Sequence, residues 1–260
     1  MTIIATVLFL IAFLAGFIDS IAGGGGLLLM PALLLAGLPP QTALGTNKFA
    51  ATIGTGFALI NFARNKKIIW RIVSAGILFS LLGAFIGSKT ILIFSNEIVG
   101  KIIVILLPLA MIGILLPKKE RHSKDGSSAK EEEEKFSTRD LYFKVPIICS
   151  LIGFYDGFFG PGTGSFFIMA FYLFISMDLV EASATSKVFN FASNIGALIV
   201  FLLEAKVVLL LGLLLAIANI VGNYLGSSLA INKGHNVVKI GLITILLILF
   251  ISLFWNYFVK

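Results

Sequence analysis

The chain has 260 residues, 58% of them hydrophobic and only 13% charged, with a mean hydropathy of +1.03 and a formal net charge of +7. A soluble domain carries about 25% charged residues, and here residues 117–144 alone hold seven of the thirteen acids and eight of the twenty bases. This excludes a soluble fold and, because the bases form no basic domain, a nucleic-acid-binding one; it specifies an all-α polytopic membrane protein embedded in a lipid bilayer.

In chain order, the first apolar segment is 2–21. No Lys or Arg precedes Lys48, so it lacks the basic start of a cleaved signal peptide and reads as a retained span. The second, 26–37, is cut short: Leu27 to Leu38 gives twelve residues between Gly23-Gly24-Gly25-Gly26 and Pro39-Pro40, well under the roughly 20 a helix needs to cross hydrocarbon. Segments 41–63, 70–91 and 97–117 follow. Between the first two of these lies loop 64–71, with Arg64, Lys66, Lys67 and Arg71, which the positive-inside rule places in the cytoplasm.

A polar linker comes next, flanked by Lys118, Lys119, Arg121, Arg139 and Lys144 and carrying the acidic run Glu131-Glu132-Glu133-Glu134. It reads as a solvated cytoplasmic tether. Beyond it the apolar segments are 144–159, 163–177, 179–203, 206–230 and 236–258, again with a short second member. The expected organisation is a first transmembrane repeat over 1–117, a linker over 118–143 and a second repeat over 144–260. Each repeat has four long spans plus a short glycine-interrupted segment, giving about eight transmembrane helices and up to ten helical segments. The repeats are inverted if the short segments cross the bilayer and parallel if they do not, and Lys233 and Lys239 favour the inverted case. Cys149 is the only cysteine, so an intramolecular disulfide and a thiolate metal cluster are both excluded.

The two repeats share a motif. Gly16-Phe17-Ile18-Asp19-Ser20-Ile21-Ala22-Gly23-Gly24-Gly25 and Gly153-Phe154-Tyr155-Asp156-Gly157-Phe158-Phe159-Gly160-Pro161-Gly162 both read G-x-x-D-x-x-x-G-x-G, 137 residues apart. At an offset of 139, Thr46-Asn47-Lys48 matches Thr185-Ser186-Lys187, and Gly83, Gly87 and Ser88 match Gly222, Gly226 and Ser227. A charge at the centre of a membrane helix costs roughly 2.5–3.5 kcal/mol on insertion scales. Four of them at paired positions, beside interrupted helices, point to a transporter's substrate site.

The residue types suit an anion. Glycines at a helix break leave backbone N–H groups accessible, and the helix that follows presents its positive dipole end. This makes Gly23, Gly24, Gly25 and Gly26 one candidate cradle, and Gly160 and Gly162 another, with the hydroxyls of Thr163 and Ser165 added. Lys48 and Lys187 supply countercharge, and Thr46, Asn47, Thr185, Ser186, Asn190 and Asn194 supply a polar lining. Gly83/Gly87 and Gly222/Gly226 instead read as close helix packing. Asp19 and Asp156 fit three roles: capping the breaks, neutralising the lysines, or binding a coupling proton.

The repeated G-x-x-D-x-x-x-G-x-G, the T-N-K and T-S-K segments and the two four-span halves resemble the sulfite exporter TauE/SafE family of the sulfonate-uptake permease superfamily. The likeness covers nearly all of the chain outside 117–144. It implies a secondary transporter that exports sulfite, a sulfonate or a related small anion across the cell membrane, with proton-motive coupling and no cofactor. One departure is Pro161-Gly162-Thr163 where the first copy has Gly24-Gly25-Gly26, so the two cradles are not equivalent. A small-anion channel or a cation/metal carrier is the alternative. An intramembrane aspartyl protease is disfavoured, because neither aspartate stands in a G-x-G-D context.

Overall fold

The computed structural model describes residues 2–102, 137–138 and 140–233. The expected last span at 236–258, most of the span at 97–117 and most of the linker lie outside the described residues. The described elements are all helical: α1 (Thr2–Ala22), α2 (Gly26–Leu35), α3 (Pro40–Arg64), α4 (Trp70–Leu92), α5 (Val145–Phe158), α6 (Thr163–Ala170), α7 (Leu179–Leu203) and α8 (Leu209–Lys233). Residues 96–102 begin a further helix. A π-helical turn, Asp140–Lys144, leads into α5, and another, Phe171–Ile175, prolongs α6.

Local sequence explains most boundaries. Pro39-Pro40 ends the α2 connection and starts α3, where a proline's missing N–H costs nothing. Asp178 caps α7, its carboxylate accepting from the Val180 N–H at 2.8 Å. Loops 65–69 and 204–208 match each other down to a single left-handed residue, Lys66 at φ +54° and Ala205 at φ +51°.

Five described helices are long and apolar enough to cross a membrane: α1, α4, the helix ending at Phe158, α7 and α8. The eight spans expected from sequence are not all visible in that count. Helix α3 is long enough, at 25 residues, but Gln41, Thr46, Asn47, Lys48, Thr52 and Thr55 make it polar, and all six are buried in protein rather than offered to lipid.

Helix direction follows from who touches whom. α2 folds back along α1: Gly25 lies against the Ala15 carbonyl and Asp19 Cβ, and Leu29, Met30 and Leu33 share a core with Leu8, Ala12 and Ala15. The same core contains Phe201, Leu215 and Ala218, whereas Ile21, Ala22, Phe62 and Ile72 belong to a second core with Val145, Phe167 and Ala184. α1 and α8 run side by side in the same direction, Gly16 beside Asn219, Gly222 between Phe13 and Phe17, and Gly226 against Phe17 and Ser20. α4 and α5 are parallel in the same manner, Gly83 against Ser150 and Phe154 and Gly87 against Phe154 and Phe158. α3 runs with α8 and α7 with α4, so α1, α3 and α8 point one way and α4, α5 and α7 the other.

Parallel helices with backbones in contact require small residues at the seam. A Cβ at Gly157 would meet the Ala84 carbonyl and reach Ala84 C at 2.6 Å, and one at Gly222 would meet the Phe13 carbonyl and reach Phe17 N at 2.7 Å. Gly157→Ala and Gly222→Ala are therefore expected to destabilise the detergent-solubilised protein by about 1–3 kcal/mol through overpacking, read as a lowered thermal midpoint. Gly100→Ala, whose nearest neighbour is Pro40 Cγ at 3.6 Å, is the matched control and leaves the midpoint unchanged or raised. Equal midpoints for all three would contradict this packing.

Candidate functional site

The two chain breaks meet in the middle of the helix bundle. Gly23 (φ +79°) ends α1 and Gly160 (φ +93°) ends α5 in conformations that glycine alone adopts without strain. Their backbones join: the Ser165 N–H donates to the Gly23 carbonyl at 3.2 Å and the Ser165 hydroxyl donates to the Ala22 carbonyl at 2.5 Å. Ser183 adds a hydroxyl bond to the Ile21 carbonyl at 3.3 Å. Gly23 and Gly164 lie so close that a Cβ on either would collide with the other's backbone.

Four charges converge on this junction as two ion pairs, each joining the first four helices to the last four. Lys48 Nζ on α3 pairs with Asp156 Oδ1 on α5 at 2.6 Å and also donates to Asn194 Oδ1 on α7 at 2.9 Å. Lys187 Nζ on α7 pairs with Asp19 Oδ2 on α1 at 2.9 Å and donates to the Asp19 main-chain carbonyl. The side chains of Lys48 and Asp156 are 3% and 2% exposed, and Lys187 and Asp19 are 0% and 14%. Charges this deep are retained only when paired and hydrogen-bonded.

The two carboxylates are not equivalent. Both Asp19 oxygens have partners: Oδ1 accepts from the Gly25 N–H at 3.4 Å, and Oδ2 accepts from Thr55 Oγ1 at 3.4 Å as well as from Lys187. Asp19 thus both caps the first break and neutralises Lys187. Among the described residues, Asp156 Oδ2 is buried with no hydrogen-bond partner.

A cavity of about 30 Å³ lies between the pairs. Of the residues singled out from sequence, Asp19, Gly23, Gly25, Gly26, Asn47, Lys48, Asp156, Gly160, Gly162, Asn190 and Asn194 line it, joined by Ala15, Leu29, Ala51, Gly164 and Asn219. It has room for about two water molecules.

Other residues singled out from sequence lie outside this cavity and bond elsewhere. Thr46 and Thr185 tie down opposite loops, their hydroxyl oxygens accepting from the Val208 and Ile69 N–H groups, each at 3.1 Å. Thr163 bonds back to the Gly160 carbonyl at 2.7 Å and Ser186 to the Ser183 carbonyl at 2.8 Å, while Ser165 is used in the seam. The Gly24 carbonyl accepts from Leu27 N at 3.1 Å. The breaks are also less open as anion cradles than glycine content suggested: the N–H groups of Gly25, Leu27, Leu28, Thr163 and Ser165 already have protein acceptors.

Asn219 and Asn223 were not singled out from sequence. Asn219 Nδ2 donates to the Ala12 carbonyl at 3.0 Å and Asn223 Nδ2 to Asn219 Oδ1 at 2.8 Å, between α1, α3 and α8. The available signal was spacing: Asn219, Asn223 and Ser227 recur every four residues on an otherwise apolar helix, one polar stripe in hydrocarbon.

Comparison with known proteins agrees with this architecture. The model of the family described as Sulfite exporter TauE/SafE matches residues 8–253. The chain is 37% identical over 232 residues to the Sinorhizobium sp "Probable membrane transporter protein ORF9", covering 89% of this chain and 85% of that one. It is 37% identical over 234 residues to the Escherichia coli (strain K12) "Probable membrane transporter protein YfcA", covering 90% and 83%. A Haemophilus influenzae "Probable membrane transporter protein" is 34% identical over 234 residues, covering 90% and 88%. No solved structure matches the chain. With the family model spanning nearly its whole length, this chain belongs to the sulfite exporter TauE/SafE family of membrane transporters.

Proposed function

We propose that the protein is a secondary transporter that carries sulfite, a sulfonate or a related small anion out of the cell across the plasma membrane, coupled to protons. The observation that carries this reading is the convergence of two helix breaks and two buried Lys–Asp pairs around one small polar cavity. The cavity's ammonium group and the carboxamides of Asn47, Asn190 and Asn194 form a donor set suited to sulfur oxyanions.

The architecture proposed with it is a pair of inverted repeats, 1–117 and 144–260, joined by a cytoplasmic linker at 118–143 and comprising eight long spans and two short helices, each of which brings the chain back to the side where the preceding span began and so counts as a crossing. The opposed directions of α1 and α5, and of α3 and α7, support it. Loop 64–71 lies on the cytoplasmic side with the linker. Alternating access then consists of one helix group rocking against the other about the junction of the breaks.

Flux into or out of proteoliposomes, with sulfite, alkanesulfonates and carboxylates as a panel, tests the reading directly. Wild-type protein is expected to move at least one sulfur oxyanion uphill when a proton gradient is imposed, and an uncoupler is expected to abolish the uphill component. Saturable flux of a divalent cation with none of any anion would overturn the assignment, and anion flux that never runs uphill would make the protein a channel.

Lys48→Met removes the ammonium that borders the cavity. A lost charged hydrogen bond costs about 1.5–3 kcal/mol, which is roughly a tenfold to hundredfold loss of anion affinity. The expected outcome is a rise of that size in the half-saturating anion concentration, with protein still present in the membrane. An unchanged value would remove Lys48 from the substrate site.

A further inference from the structure

The two ion pairs match in position, but only one has a spare buried oxygen. Asp19 uses both carboxylate oxygens in protein bonds, whereas Asp156, which lines the cavity together with Lys48, has a buried Oδ2 that accepts no hydrogen bond from the described residues. Resting on the transport reading above, we propose that Asp156 is the proton site. The anion and one proton bind together: the proton adds to the Asp156 carboxylate, and the Lys48 ammonium that it releases becomes the anion's countercharge. Asp19 and Lys187 remain paired throughout as a fixed clamp between the breaks.

Charge conservation inside the bundle carries the argument. Two carboxylates and two ammonium groups sum to zero at the junction, so an anion entering alone leaves one uncompensated negative charge in a site with almost no water. Such a charge is strongly disfavoured. A proton on Asp156 restores neutrality, and no other group at the site does so as readily.

The neighbours of Asp156 support this. From α3 it faces Lys48; α1 brings Asp19 to the same cavity, already paired with Lys187 of α7. Tyr155, beside it on α5, spends its hydroxyl on the Pro161 carbonyl at 2.7 Å. The packed helices α2 and α6 contain no titratable residue. On α4 the charged residues, Arg71 and Lys89, stand near the two ends, and on α7 Glu181 lies in the first turn.

Coupling by shared neutrality has a sign. Proton and anion bind one conformer together and cross together, so the step is electroneutral for a monoanion. Export then follows the anion's own outward gradient, and an opposing proton gradient slows it. By linkage, the proton tightens anion binding and the anion tightens proton binding by the same factor.

The test uses full-length protein in detergent and weak buffer, with the monoanions methanesulfonate and isethionate added in turn, neither of which takes up a proton near neutral pH. Wild type is expected to absorb about one proton per anion bound, with affinity weakening about tenfold for each unit rise in pH. Asp156→Asn is expected to bind the same anion with no proton uptake and a flat pH profile. Should that variant express poorly, infrared difference spectra on anion binding decide the matter. A protonated-carboxyl band should appear in wild type, shift in Asp156→Glu and stay fixed in Asp19→Glu. Anion binding by wild type without proton uptake would overturn the proposal while leaving the transport reading intact, as would uptake that persists in Asp156→Asn or a band that follows Asp19. Failure of wild type to bind or transport any anion, in this assay or the flux panel, would overturn the transport reading and this proposal with it.

Discussion

A charge inside a membrane protein has to find its opposite within the fold, and here each finds it across the linker. Lys48 belongs to the first four helices and its partner Asp156 to the last four; Lys187 and Asp19 reverse that assignment. In this fold neither lysine is ion-paired with the motif aspartate of its own helix set. Separating the two sets would break both pairs, and a buried charge that loses its partner is strongly destabilising. The bundle therefore closes as one unit. The same exchange recurs at every level of the structure: α1 lies on α8, α5 on α4, and the loop before each of α4 and α8 is held by a threonine from the opposite set.

Glycine is what allows that exchange. Two helices that run in parallel with carbonyls against Cα atoms exclude side chains from the seam, and this protein builds two such seams, Gly83 and Gly87 with Gly153 and Gly157, and Gly222 and Gly226 with Gly16. The breaks obey the same constraint in three dimensions, Gly23 resting on Gly164. The cost is conformational freedom in the unfolded chain, and it is offset by burying the irregular backbone entirely in protein, where the freed polar groups find partners.

Much of this was legible in the sequence because hydrocarbon makes polarity conspicuous. Asp19, Lys48, Asp156 and Lys187 stand out from apolar surroundings at matched offsets, and eleven predicted positions do line one cavity. What could not be read was partnership. Composition lists two lysines and two aspartates, but only the direction of each helix decides which pairs with which. A ten-residue apolar segment such as α2 does not reveal whether it continues forward or folds back. Thr46 and Thr185 show a related limit. Their repetition marks them as important, yet what they do is anchor two loops, and a loop's N–H group leaves no trace in hydropathy. Asn219 and Asn223 escaped notice because the matching positions in α4 are Ser80 and Ala84, so a search for repeated residues passes over them.

That last difference belongs to a wider one. Around the first break, an aspartate with every oxygen bonded holds a fully buried lysine that also grips the main chain. Around the second, Pro161 stiffens the turn, Tyr155 rather than Ile18 stands beside the aspartate and bonds across the turn, and one carboxylate oxygen is left over. Position is thus preserved between the two copies while bonding is not. A site built from two equally satisfied pairs would resist opening equally on both sides. With one saturated pair and one that leaves an oxygen over, the two sides of the junction are not interchangeable.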